Sequence, residues 1–271
     1  MKRLPLSNSE RLGIGAIITA LPLAFIDFRL AVFPLAIFLV MCVAAPFFPR
    51  ISFYLPVISR GSSGNQAVAL TFDDGPNPKT TPELLRLLKE YGAVATFFVV
   101  GEKAAAHPEL IREILSQGHS IGNHSYRHDA LLLLKSTKTI RNDIEATQSV
   151  LKQLGVIALT FRPPAGITAP GLRKALKRSG MVTVNFSCRA FDGGNKRIGN
   201  LAKKILGQVR PDDIILLHDV TPKPDSLLPE WVNEVENILR GIKDIGLSIQ
   251  PLSEVIENPV MIADTNPSAM D

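Results

Sequence analysis

Two adjacent acids, Asp73 and Asp74, stand in Thr71-Phe72-Asp73-Asp74-Gly75-Pro76, directly after the apolar run Ala67-Val68-Ala69-Leu70. Neighbouring carboxylates at the end of a buried strand repel each other and lose solvation, so a cation or strong donors must hold them. The stretch His124-Ser125-Tyr126-Arg127-His128 offers further ligands for such a cation, because imidazoles spaced i, i+4 share a face when the segment coils into a helical turn. Two histidines and one carboxylate from the Asp73-Asp74 pair make a facial metal site. It leaves positions open for water and substrate, as catalysis needs and a structural zinc site does not. A histidine pair alone is balanced by the reading of surface histidines; after a strand and beside an acid pair it becomes a strong signal.

Hydrolysis at such a metal also needs a base for the water and an acid for the leaving group. Asp73 and His218 are the candidates. His218 closes Ile214-Ile215-Leu216-Leu217-His218, where a core histidine bonded to a carbonyl is an equal reading for it taken alone. Arg162, in Phe161-Arg162-Pro163-Pro164-Ala165-Gly166, is either a structural ion pair in a rigid turn or the partner of the carboxylate that does not bind metal. Both readings point it inward. Asp192, just before Gly193-Gly194, either holds His218 through a carboxylate hydrogen bond or is a plain turn residue.

The elements that must position these groups begin at residue 66. Apolar patterning predicts strands over 66–72, 95–100, 119–122, 158–161, 181–186, 213–217 and 247–250. Helices are expected near 81–91, 107–117, 136–153, 170–179, 198–208 and 229–240, with Pro82 suited to a first turn and Gly118 and Gly180 to helix ends. Seven mostly apolar strands alternating with helices predict an α/β fold whose parallel sheet is covered on both sides. Asp73, Asp74, His124, His128, Arg162, Asp192 and His218 each fall just beyond the carboxyl end of a strand. A closed barrel brings such ends to one face, whereas an open sheet strings them out in a row, so a (β/α) barrel is expected.

Ahead of the barrel, Leu12–Ile26 and Leu30–Phe48 are uncharged and are separated by Asp27–Arg29. Both read as membrane segments. The second matches the hydrocarbon thickness, and the first, shorter and containing Pro22, suits a spanning, re-entrant or interfacial helix. Cleavage after Ala44-Ala45 would place Pro46 beside the scissile bond, which favours a retained anchor in the inner or plasma membrane over a signal peptide. Lys2, Arg3 and Arg11 argue for a cytoplasmic N-terminus; a helical hairpin would keep the main domain on that side, and a single span would send it across. Gly61-Ser62-Ser63-Gly64-Asn65 has the composition of a flexible linker. The expected organisation is a membrane-anchoring part over 1–58, a linker over 59–66, a catalytic barrel over 67–257 and a flexible tail over 258–271.

The net charge of +5 is spread among acids, so nucleic acid is not an expected partner. The basic groups Arg173 to Arg178 and Lys196 to Lys204 read as solvated helix faces rather than as a site for anionic lipid. With Cys42 and Cys188 as the only cysteines, a disulfide scaffold and a cysteine zinc site are both excluded.

Taken in order, Thr71 to Gly75, His124 to His128, Arg162 to Gly166, Asp192 and Leu216 to Asp219 resemble the five motifs of the polysaccharide deacetylases, the NodB-homology group of carbohydrate esterase family four. The resemblance covers about 66–252. It implies a distorted (β/α) barrel and one divalent metal held by Asp74, His124 and His128, with zinc the first choice and cobalt, nickel or iron also suited to the donor set. Asp73 would be the general base and His218 the general acid, with Arg162 orienting Asp73 and Asp192 tuning His218. The Ala165 N–H would help hold the oxyanion. The implied reaction is attack of an activated water on the N-acetyl (or other N-acyl) carbonyl of an amino sugar, protonation of the amine by His218 and release of acetate. The substrate would be a polysaccharide or a lipid-linked saccharide, met by a membrane-anchored enzyme.

Two departures bear on the substrate groove, since the family usually has an aromatic residue where Ala165 stands and a tryptophan where Gly193 stands. Both remove aromatic wall. Phe191, Tyr126 or Trp231 could replace it, although core packing is the commoner role for Trp231. Two other functions use the same barrel. A metal amidase on a small linear or cyclic amide would share the site, and the anchor argues against it. An inactive membrane-tethered glycan-binding module predicts damage at Asp73, Asp74, His124, His128 or His218, all of which are present.

Overall fold

The computed structural model describes residues 5–129 and 131–264. The strands are β1 (Val57–Ile58), β2 (Ala67–Asp73), β3 (Ala95–Val99), β4 (Ser120–Asn123), β5 (Val156–Ala158), β6 (Thr160–Phe161), β7 (Val182–Val184), β8 (Cys188–Arg189), β9 (Ile214–His218), β10 (Ser248–Ile249) and β11 (Met261–Ala263). The helices are α1 (Asn8–Ile26), α2 (Phe28–Ala44), α3 (Thr81–Glu90), α4 (Gly101–Ala106), α5 (Pro108–Ser116), α6 (Thr137–Gln153), α7 (Pro170–Ser179), α8 (Leu201–Leu206), α9 (Leu228–Asp244) and α10 (Leu252–Val255).

The main sheet runs β1-β7-β6-β4-β3-β2-β9-β8, with β10 added beside the start of β2. Every pairing in it is parallel. It curls into a barrel that no ladder closes. Residues 185–187 cross the gap between the two edges instead, with Asn185 N–H donating to Ile58 O (2.8 Å) and Ser187 N–H to Ile214 O (3.1 Å). Side chains alternate with period two. Ala69, Phe98, Val184 and Leu216 fill the barrel interior with Leu252 and Val255 of α10, while Leu70, Phe97 and Leu217 pack outward under the helices.

Each expected strand is present, but the stretch 158–161 is divided between β5 and β6, and β1, β8, β11, α4 and α10 are additional. A two-residue strand has no periodicity to detect. Gly180 ends α7 in the left-handed conformation (φ 65°), as expected from its position. Trp231 lies fully buried on α9 within the outer core, so it supplies no wall to a groove.

The boundaries of the barrel differ from the expected ones in two places. Residues 59–66 are fastened rather than free: Gly61 N–H donates to Asp212 O (2.8 Å), Ser62 N–H to Val255 O (3.1 Å) and Ser63 Oγ to Asp212 (2.6 Å). The chain before them already belongs to the fold, since β1 pairs with β7 and Phe53, Tyr54 and Leu55 are buried with Phe161, Leu172 and Leu176. At the other end, Met261–Ala263 pair antiparallel with Val156–Ala158, so residues 258–264 are not a loose tail. Residues 265–271 lie outside the described ones.

α1 and α2 pack on each other, with Asp27 between them as the N-cap of α2. Each is long and apolar enough to cross a membrane. At 1.5 Å per residue, the 19 residues of α1 extend about 28 Å, close to the hydrocarbon thickness. The start of α1 is tied to the barrel by Ser9 N–H to Phe53 O (2.9 Å) and by Glu10 to Arg173 (3.0 Å). After α2, the short turn Ala45–Phe47 and residues 48–52 lead into buried Phe53. Both roots of the hairpin therefore meet the barrel, and its tip carries exposed Phe25, Ile26 and Phe28.

Candidate active site

All seven predicted site residues gather at the carboxyl ends of the strands. Asp73 is the last residue of β2 and pairs in register with His218, the last of β9; His124 follows β4 and Arg162 follows β6. The backbone turns sharply here. Asp74, Ser125, His128, Ala165 and Phe191 all take φ between 50° and 71°. Left-handed conformations cost non-glycine residues energy and persist only where surrounding contacts hold them, and these five are grouped at one face. At Asp74 the turn separates two neighbouring acids, aiming one carboxylate at the histidines and the other at an arginine.

Asp74 Oδ1 lies 2.9 Å from His128 Nε2 and 3.3 Å from His124 Nε2, and the three ligand atoms are within 4.8 Å of one another. That oxygen is buried without a hydrogen-bond partner. His124 Nδ1 is 2.7 Å from Arg162 O; a carbonyl can only accept, so Nδ1 carries the proton and the Nε2 lone pair faces Asp74. An orphaned carboxylate oxygen and an imidazole of fixed tautomer fit a divalent cation, with the donor chemistry suited to zinc and its neighbours. Burial pushes the Asp74 carboxyl up, but the adjoining His124 and His128 imidazoles outweigh it and hold it below the usual range.

Asp73 is nearly buried, with Arg162 Nη1 donating to its Oδ1 at 2.7 Å. Arg162 is wholly buried and fully engaged: it also donates to Thr71 Oγ1 (2.7 Å), Val184 O (3.1 Å) and Asn185 O (2.9 Å), and lies 3.9 Å from the centre of the Phe98 ring. Burial lowers the guanidinium pKa, and the Asp73 charge opposes that.

On the neighbouring strand His218 Nδ1 donates to Asp192 Oδ2 at 2.8 Å. Burial depresses the His218 imidazolium, but Asp192, with Asp73 and Asp74 beyond it, raises its pKa above the ordinary histidine value. For Asp192, burial is in turn outweighed by His218 and the Asn195 N–H, which hold the carboxyl low. The histidine is thus partnered by a carboxylate, not a carbonyl, and Asp192 is not merely a turn residue.

Sequence reasoning missed three polar residues that hold this arrangement. Asn185 donates through Nδ2 to Gly166 O (3.0 Å) and Pro49 O (2.9 Å), fastening the Ala165 turn to the foot of the hairpin. Asn195 Nδ2 donates to His218 O (3.0 Å) and Val220 O (2.6 Å), joining the Asp192 loop to the end of β9. Asp219 accepts from the Thr80 and Thr81 hydroxyls, each at 2.6 Å, and burial lifts its pKa to about 6. Asn185 and Asp219 follow apolar strand runs, which is a weak signal, and Asn195 stands in a glycine turn that gives none.

The groups open into a cleft of about 650 Å³. Ala165, Phe191 and Gly193 line it, whereas Tyr126 packs against Gly101 outside it, so Phe191 alone of the three proposed aromatics reaches the cleft.

Comparison with known proteins agrees with this geometry. A sequence model of the family described as polysaccharide deacetylase matches residues 60–184. A chitooligosaccharide deacetylase of Sinorhizobium fredii (strain NBRC 101917 / NGR234) is 33% identical over 209 residues, covering 74% of this chain and 97% of the relative. A peptidoglycan-N-acetylglucosamine deacetylase of Bacillus cereus (strain ATCC 14579) is 34% identical over 159 residues, covering 58% of this chain and 74% of the relative. Among solved structures, the Bc1960 peptidoglycan N-acetylglucosamine deacetylase superposes with a TM-score of 0.68 at 30% identity, covering 75% of this chain and 94% of that one. The strand-end acids and histidines thus lie in a barrel of known kind, and the chain belongs to the polysaccharide deacetylase family.

Proposed function

We propose that the protein is a metal-dependent hydrolase that removes an N-acetyl or other N-acyl group from an amino sugar of a polysaccharide or lipid-linked saccharide. The observation that carries this reading is the division of labour at Asp73-Asp74: one carboxylate faces two imidazoles, and the other faces a buried guanidinium. The names of the relatives, deacetylases of chitooligosaccharide and peptidoglycan N-acetylglucosamine, support the substrate class.

Asp74, His124 and His128 would hold one divalent ion, zinc by preference, which when bound polarises the acyl oxygen and acidifies a water. Asp73 removes the proton from that water, aimed by Arg162. The Ala165 N–H donates to the oxygen on which negative charge develops. His218, charged and oriented by Asp192, gives its Nε2 proton to the departing amine. The products are a free amino sugar and a carboxylate.

The apolar hairpin is read as a retained membrane anchor. Its roots, with Arg11, Arg50 and Arg60, share one side, and the tip carries only Asp27 and Arg29. By the positive-inside rule this arrangement favours a barrel on the cytoplasmic face. Protease added to intact spheroplasts should leave the barrel uncut, and rapid cleavage there would reverse the orientation.

The deciding experiment incubates the zinc-loaded, full-length protein with chitotetraose, peptidoglycan fragments and lipid-linked N-acetylglucosamine, following acyl loss by mass. Turnover of none of them, with the metal bound, overturns the reading.

A further inference from the structure

The catalytic cleft does not end at the sugar-sized space around Asp74. Phe186, Arg189 and Phe191 line it and also line a second groove of about 250 Å³, whose other wall is Phe48, Pro49, Arg50 and Ile51. Those four residues are the foot of the hairpin, just after α2 and the short turn Ala45–Phe47. Phe48, Ile51 and Phe191 are exposed, at 55%, 45% and 61%. The groove therefore runs from the reacting centre to the point where the chain would leave the bilayer, and its surface is mainly apolar.

The boundary between cleft and groove is cationic. The Arg189 guanidinium sits 4.1 Å from the Phe191 ring centre and 5.2 Å from that of Phe186. Arg50 is near enough for its charge to act on Arg189, and Lys196 and Arg197 stand on the cleft side. Among the described residues none of these four forms a salt bridge, and Asp192, whose charge acts on Arg189, is hydrogen-bonded to His218. The segment is held firmly, since Asn185 bonds Pro49 O while Arg50 donates to Ser187 O. Guanidiniums without a salt bridge between a sugar-sized cleft and an apolar groove match a molecule with phosphate between a sugar and a hydrocarbon chain.

We infer that the substrate is an N-acylated amino sugar carried on a lipid phosphate or diphosphate: the sugar lies at Asp74, the phosphate against Arg189 and Arg50, and the chain along Phe48, Ile51, Phe186 and Phe191 toward the membrane. This rests on the deacylase reading and narrows its substrate. It also gives Phe191 and the wide space at Ala165 and Gly193 a purpose, because a single sugar on a lipid needs no long aromatic trough for successive sugars.

The test uses the full-length, zinc-loaded protein in nonionic detergent, with N-acetylglucosaminyl diphosphate polyprenol, chitotetraose and a nucleoside-diphosphate N-acetylglucosamine as substrates. The lipid-linked substrate should show the highest kcat/KM. Phe48→Ser with Ile51→Ser, and separately Arg50→Ala, should lower that value by about tenfold or more while leaving chitotetraose turnover within about twofold. Chitotetraose turnover without turnover of the lipid-linked sugar overturns the inference and leaves the deacylase reading standing. An equal loss on both substrates in both variants also overturns it, since the residues then serve only the fold. If no substrate turns over, the deacylase reading falls; binding of a fluorescent polyprenyl diphosphate then decides the groove. Saturable binding that the Phe48 and Ile51 changes abolish upholds the groove, and binding no stronger than to phospholipid micelles overturns it.

Discussion

Arg162 Nη1 lies 2.7 Å from Asp73 Oδ1, in an ion pair whose side chains are 0% and 6% exposed. The neighbouring acid, one residue on, turns away to two histidines. Breaking a buried pair from one side leaves the other charge uncompensated, so Arg162→Ala is expected to destabilise the fold by about 3–5 kcal/mol. Asp73→Asn keeps an acceptor for Arg162 but leaves its buried charge uncompensated, so it should also destabilise the fold, and it should lower kcat by roughly 10²–10⁴ while the metal remains. Denaturant melts and metal analysis on both variants check this; near-normal turnover by Asp73→Asn would remove it from the base role.

Metal binding should depend on the other acid. His128→Ala is expected to lose both bound zinc and activity, and a chelator should silence the wild type reversibly on zinc return. Titration calorimetry with zinc distinguishes the two acids: Asp74→Asn should weaken binding strongly, and Asp73→Asn should not. Equal effects would contradict the division drawn from the distances to His124 and His128.

The pairing of His218 with Asp192 gives a signed pH prediction. The folded-state pKa of His218 is raised, so its proton is held to higher pH than on a free imidazole and is lost as pH climbs past that raised value. Activity should therefore fall on the alkaline side. Asp192→Asn removes the nearest negative charge and should move that limb down by roughly one to three pH units. A limb unmoved in the variant would assign it to another group.

Asn185 has no reacting partner, yet it bonds both Gly166 O and Pro49 O. Asn185→Ala leaves two carbonyls unsatisfied and should cost about 1–3 kcal/mol in stability. Because the Ala165 turn is also loosened, kcat should drop more than KM rises. A purely structural role would lower the melting temperature and leave the kinetics of the folded fraction unchanged.

Local chemistry made much of this protein legible in its sequence. Apolar runs of 4–8 residues marked the longer strands, a 3.6-residue pattern marked the longer helices, and strand-end polar residues pointed to one face. The types and spacing of Asp73, Asp74, His124 and His128 pointed to a metal site as an expectation, because few other chemistries tolerate those groups together. What only the tertiary structure decided depends on contacts between distant residues. The left-handed turn at Asp74 sends the two acids to different partners, and the partner of His218 is Asp192, 26 residues earlier in the chain. Asn185 reaches Pro49 across 136 positions, and the glycine-serine tract is held to Asp212 by bonds spanning more than a hundred. No composition or period encodes such bonds. Each becomes favourable only once the barrel has removed the competing water and brought donor and acceptor into line.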